Sequence, residues 1–135
     1  MEIKVEKAVA AALAGVLCMA CTSAIAKGKA PAARYPAALH GVWLGEDEDC
    51  KNPDIGDSDT RFEVAATKLT GYEHWNKPLR IVQISKDPLA WRMISETRFD
   101  GSVFELQEVY VLSGYKNGTL TIVDSSQSRR YERCQ

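Results

Sequence analysis

The sequence predicts an all-β protein, an antiparallel meander of six or seven strands closing into a small barrel or compact sandwich with one disulfide. Three observations carry that expectation. From Thr60 onward apolar and polar residues alternate with a period of two rather than 3.6. Asp100-Gly101 and Asn117-Gly118 are dipeptides that accept positive φ at both central turn positions, so each marks a tight hairpin. Beyond residue 26 no stretch has the spacing of an amphipathic helix; only "EVAATKL" (63–69) is compatible with one short turn or helix.

Residues 1–26 stand outside the fold argument. "MEIKVEK" carries Lys4 and Lys7 and precedes an uncharged run from Ala8 to Ala26 that ends in Ala24-Ile25-Ala26. That is the three-part pattern of a secretory signal peptide with a small-x-small cleavage site. The run is about long enough to span a bilayer, but it is mostly Ala and weakly hydrophobic for an anchor. Cys21 offers a lipoprotein alternative, although "CMAC" has Cys where such sites usually resemble Leu-x-Ala-Cys. Residues 27–38, "KGKAPAARYPAA", contain two Pro and little apolar bulk and predict a flexible arm. Residues 39–135 suit a single β-domain.

Within that domain one strand is expected around Trp43, then strands at 60–66, 78–85, 89–99, 102–112, 118–124 and 128–134. In the fourth, Leu89, Trp91 and Met93 face one way and Arg92 the other. In the fifth, Phe104, Leu106, Tyr110 and Leu112 share a face, with Glu105 and Gln107 opposite. Pro88 cannot donate into a ladder, so Lys86-Asp87-Pro88 separates two strands. Closure of such a meander removes aggregation-prone edges.

With the signal removed, Cys50 and Cys134 are the remaining cysteines. An even pair in an exported chain predicts one disulfide, closing a loop worth roughly 4.6 kcal/mol by chain entropy. The formal net charge of −1 argues against nucleic-acid binding, which needs a basic surface. The distribution is uneven. Glu46, Asp47, Glu48, Asp49, Asp54, Asp57 and Asp59 lie within fourteen residues that contain one Lys. Their spacing fails the EF-hand pattern, since Lys51 stands at its fifth position, so no metal site is expected. If Cys50 bonds Cys134, the arginines of "SRRYERC" lie near this loop and partly neutralise it; the surplus suits docking of a basic partner.

A second stretch, "LTGYEHWNKPL" (69–79), gathers Tyr72, His74 and Trp75 in an expected loop, where rigid aromatics serve as binding anchors or cap a barrel end. The chain has two histidines, no G-x-S-x-G and no H-x-x-x-H. No nucleophile–base arrangement is legible. Glu63, Glu73, Glu96, Glu105 and Glu108 leave a carboxylate pair for glycoside hydrolysis as a formal option, and strand glutamates are ordinarily exposed.

Gly41-Val42-Trp43 on the first strand resembles the calycin (lipocalin-like) pattern. In that family a tryptophan plugs one barrel end and an arginine from near the last strand packs on it. The resemblance implies an up-and-down barrel with Trp43 as the plug and Arg130 or Arg133 as its partner. Small calycin-type envelope protease inhibitors share an early tryptophan and one disulfide. The chain is shorter than transport lipocalins, which implies a small interior. The plain alternative is that Trp43 is a core aromatic.

The resulting expectation is an exported, periplasmic or secreted β-domain without cofactor or stable membrane insertion, acting as a non-enzymatic protein-binding factor of inhibitor or immunity type. Its expected partner is an envelope or extracellular protein with a basic surface. The rival is a lipocalin-type binder of a small apolar ligand near Trp91, Phe104 and Tyr110, and the third reading is the carboxylate-pair hydrolase.

Overall fold

A computed structural model describes residues 28–52 and 58–135. The expected signal peptide, Asp54 and Asp57 lie outside the described residues. The chain divides into a unit up to Ala30, of which residues 28–30 are described as exposed chain without regular structure, and a compact unit Pro31–Gln135.

The compact unit is a closed antiparallel barrel in which every strand pairs with its sequence neighbour and the last returns to the first. Its strands are β1 (Gly41–Gly45), β2 (Phe62–Val64), β3 (Leu69–Gly71), β4 (His74–Lys86), β5 (Leu89–Phe99), β6 (Ser102–Ser113), β7 (Thr119–Val123) and β8 (Ser128–Cys134). Eight strands replace the expected six or seven, and the sheet is a barrel rather than a sandwich. The additional strand is β3. "EVAATKL" is the β2–β3 hairpin: Ala65 N–H donates to Lys68 O at 2.8 Å, and Val64 pairs with Leu69. Three-residue strands are too short to display a period, so this pair was not legible as two strands.

Pro78 had been expected to open its strand, yet β4 begins at His74. Pro78 follows the last β3–β4 pair, Leu69↔Asn76, and sits at a bulge against β5, where the regular ladder is already interrupted. The Asp100-Gly101 expectation is met, with φ of 48° and 75°. Asn117-Gly118 is not such a turn. Gly114, Lys116 and Asn117 take positive φ while Gly118 does not, because β6 and β7 are joined by a longer connection containing a short 3-10 helix, Tyr115–Asn117.

The barrel has two unlike ends. At one, residues expected to belong to the arm are part of the fold. Tyr35 is buried and its N–H donates to Ala66 O at 2.8 Å, and a 3-10 turn, Ala37–Leu39, lies at the barrel end. Leu39 and Trp43 are fully buried in one cluster with Met93, Leu112 and Leu120. Trp43 Nε1 donates to Leu39 O at 2.9 Å. Arg133 lies 4.1 Å from the centre of the Trp43 ring and donates to His40 O and Ala38 O, both at 2.6 Å. One guanidinium thus pins the terminal segment across the barrel end and covers the indole. Gly41, at φ 127°, admits this: a Cβ there would stand 3.3 Å from Arg133 Nη1.

Alternation along β8 explains which arginine does this. Arg129, Tyr131 and Arg133 share one face of the strand, and Arg130 and Glu132 lie on the other. Arg130 therefore reaches Glu46 and Glu132, each at 3.4 Å, on the outside. Cys134 follows the outer face and bonds Cys50, with the Cα atoms 5.5 Å apart. The loop after β1 is thereby tied to the outside of the wall. Leu44, which alternation turns away from the core, is fully buried and stands outside the core cluster.

Candidate functional site: the barrel cavity

The other end stays open. At this end β1 stops and β2 starts, and the other strands are joined by Tyr72-Glu73, by Asp100-Gly101 and by the turn at 124–127. Between them a cavity of about 400 Å³ enters the barrel. This lies within the ordinary range of small-molecule sites, about 300–1,000 Å³.

The strands build the cavity by alternation. On β5, Met93, Ser95, Thr97 and Phe99 step from the core to the rim; on β6, Leu112, Tyr110, Glu108, Leu106 and Phe104 do the same. The rim is aromatic and exposed, with Phe99 and Phe104 each accessible. The walls are apolar: Phe62 and Tyr131 meet edge-to-face at 4.8 Å, alongside Leu69 and Ile122. The floor is polar. Asn76, Thr97, Glu108 and Tyr110 line it, all buried, and Ser95 and Tyr35 lie buried beneath.

Four oxygens in this region have no hydrogen-bond partner among the described residues: Tyr35 Oη, Asn76 Oδ1, Ser95 Oγ and Thr97 Oγ1. Ser95 and Tyr110 both lie close enough to influence the Tyr35 phenol without reaching hydrogen-bonding geometry with it. An orphaned buried polar group costs about 1–3 kcal/mol, and burial pushes the Tyr35 phenol up to about 12. Asn76 and Thr97 line the cavity itself, and unpaired oxygens there are unusual for a structural core, where buried polar atoms are nearly always paired.

Glu108 is the residue that sequence reasoning placed wrongly. Grouped there with exposed strand glutamates, it is 5 % exposed and points inward. The signal was available: it shares parity with Phe104, Leu106 and Tyr110, whereas Glu105 does not. Its Oε2 accepts from Tyr110 Oη at 3.0 Å. Burial raises its pKa, opposed by that hydrogen bond and by the charge of Arg129. Arg129 is itself paired with Asp124 at 3.0 Å. Asp124 accepts from Ser126 Oγ and from the N–H groups of Ser126 and Gln127, and these bonds lower its pKa to about 2. Among the five glutamates weighed as a hydrolytic pair, Glu108 alone lines the cavity.

The expected aromatic loop serves two surfaces: Tyr72, His74 and Trp75 line a shallow outer pocket with Arg98 and Asp100, and His74 also lines the barrel cavity. Tyr72 is exposed in the β3–β4 turn. Trp75 lies on β4 with Lys77 Nζ 4.7 Å and Lys68 Nζ 5.5 Å from its ring centre. His74, on the opposite face of the strand, lines the cavity, and burial followed by the charge of Arg129 lowers its pKa. Gly71 makes room for that ring: a Cβ there would collide with His74 Cε1.

The described acids of the 46–59 stretch take different environments. Glu48 accepts hydrogen bonds from Ser58 and Thr60, which lower its pKa; Glu46 meets Arg130; Asp49 accepts from Lys51 N–H at 2.9 Å. Asp47 is exposed, and Asp59 lines the cavity. Among the described residues of the loop, Glu46 is met by Arg130, while alternation sends Arg129 to the mouth and Arg133 to the closed end. Among the described residues no three His, Cys, Asp or Glu side chains group to hold a metal ion, and no helix is long and apolar enough to cross a membrane.

Fold and site together define a small closed eight-stranded antiparallel barrel with one plugged end and one open, polar-floored cavity. Comparison of the chain with protein-family models, with curated proteins and with solved structures gives no match.

Proposed function

We propose that this protein is a lipocalin-like, non-enzymatic binder of a small molecule, held in the barrel cavity and entering past Phe99 and Phe104. The observation that carries this reading is the pairing of an apolar-walled cavity with unpartnered buried oxygens on its floor, Asn76 Oδ1 and Thr97 Oγ1. A ligand with hydrogen-bonding groups at one end satisfies them and offsets their desolvation. The Trp43–Arg133 packing at the closed end supports the calycin resemblance, and the Cys50–Cys134 bond supports an oxidising compartment such as the periplasm or the extracellular space.

The rival reading, docking of a basic envelope protein of inhibitor or immunity type, rests on the exposed part of the acidic loop, chiefly Asp47 and Asp49. It also draws on Tyr72, His74 and Trp75, which line a shallow surface pocket together with Arg98 and Asp100. Native mass spectrometry of protein taken gently from its own compartment separates the two. The ligand reading expects a bound small molecule that is absent from Leu106→Trp, which fills the cavity, and unaffected by Asp47→Lys with Asp49→Lys. A protein partner lost with the charge reversals, and no small molecule on the wild type, would replace this reading with docking.

A further inference from the structure

Given the small-molecule reading above, on which this step rests, we propose that the cavity selects a primary amine, its ammonium seated between Glu108, Asn76 and Thr97 and its apolar body against the wall and rim. Glu108 is a buried carboxyl, and among the described residues it has no ion-pair partner. Its one hydrogen bond comes from Tyr110. The arginine lining the cavity, Arg129, is held by Asp124 across the β7–β8 turn. The other basic group there, His74, is biased toward its neutral form by burial and by Arg129. The lining therefore carries three acids, Asp59, Glu108 and Asp124, against one guanidinium; burial raises the pKa of Glu108, and an ammonium seated beside it favours its ionised form.

The hydrogen-bonding pattern narrows the head group. An ammonium has three donors and no acceptor. The floor offers the Glu108 carboxylate and the unpartnered Asn76 Oδ1 and Thr97 Oγ1. These belong to one cluster, since Asn76 faces Thr97 across the β4–β5 pair and the Tyr110 hydroxyl lies beside both Glu108 and Asn76. An alcohol supplies a single donor and leaves the carboxylate uncompensated. A carboxylate ligand supplies only acceptors and meets Glu108 with like charge. Leu106 and Ile122 then receive the apolar part, and Phe104 closes over it at the rim.

Three matched probes test this by calorimetry on the disulfide-intact protein at neutral pH: 2-phenylethylamine, 2-phenylethanol and phenylacetate. The amine should bind at least about tenfold more tightly than the alcohol, the scale of one charge-assisted hydrogen bond over a neutral one. Phenylacetate should bind weakest. Glu108→Gln should bring amine and alcohol to within about threefold of each other by removing that same charge-assisted term. Alcohol or phenylacetate binding as tightly as the amine, with Leu106→Trp abolishing it, overturns the amine assignment while leaving the cavity reading intact. So does an amine preference that survives Glu108→Gln. Binding of none of the three also overturns the amine assignment, and the mass-spectrometric result then decides separately whether the cavity holds any small molecule. If Glu108→Gln does not fold, the wild-type ranking of the three probes decides alone.

Discussion

Arg133 is the side chain whose loss should most clearly expose how the barrel is closed. Replacing it with Ala removes the cation over Trp43 and two hydrogen bonds to the carbonyls of Ala38 and His40. The lower ends of the usual ranges apply, because the guanidinium is only part-buried. That gives roughly 0.5 kcal/mol for the cation–π contact and about 1.5 kcal/mol for each hydrogen bond from a charged donor. Arg133→Ala should therefore cost about 3–4 kcal/mol, a large part of the 5–15 kcal/mol typical of a whole domain. Arg133→Lys keeps the charge but cannot span both carbonyls, so it should cost about half as much. Equilibrium urea unfolding of the oxidised protein, followed by tryptophan emission and far-UV circular dichroism, measures both. An unchanged m-value is expected, since the denatured state is not altered. A loss below about 1 kcal/mol for Arg133→Ala would refute the reasoning, because the contacts would then resemble an ordinary exposed ion pair. Ligand binding at the mouth should survive in both variants, since Arg133 lies at the far end.

Other outcomes follow from the same geometry. Reducing the Cys50–Cys134 bond, or replacing both cysteines with Ser, should lower stability by up to roughly 4.6 kcal/mol through loop entropy, and a loss below about 1 kcal/mol would mean the oxidised bond adds little constraint. Glu108 has a raised pKa, so its ionisation disfavours the fold. That cost is absent below the ordinary carboxyl pKa and grows as pH rises through the raised folded value. Glu108→Gln should thus be more stable than wild type at pH 8 and no more stable at pH 4, and equal thermal midpoints at pH 8 would contradict this. Asp124 has the opposite sign: its pKa is lowered to about 2, so its contribution is present above the unfolded value and lost as pH falls toward 2. Asp124→Asn should therefore narrow the acid stability difference over that window, read from acid unfolding curves. Gly71→Ala should displace the His74 ring, detectable as a change in the histidine NMR shifts and titration with the barrel still folded.

The sequence by itself determined the strand class, the disulfide pair and the Asp100-Gly101 turn, because each depends on local chemistry: a period of two, cysteine parity and tolerance of positive φ. The long strands β5 and β6 were legible for the same reason, as eleven and twelve residues leave a clear alternation. Short strands gave no such signal, so β2 and β3 read as one strand and a turn. The site was harder still. Trp43 and its arginine partner were visible as residue types, but only strand parity within the closed barrel separates Arg133, which covers the indole, from Arg130, which points outside. The acidic and aromatic stretches stood out by composition, yet pairing sets the described acids in hydrogen-bonded, outward and inward positions and turns His74 into the barrel cavity as well as toward the pocket it shares with Tyr72 and Trp75. Glu108 carried no compositional mark at all. It acquires its chemistry from β4, β5 and the β7–β8 turn, which close around it from distant parts of the chain. Burial, unpaired oxygens and the placing of one carboxylate beside Asn76 and Thr97 are properties of closure, and closure is decided only by the tertiary structure.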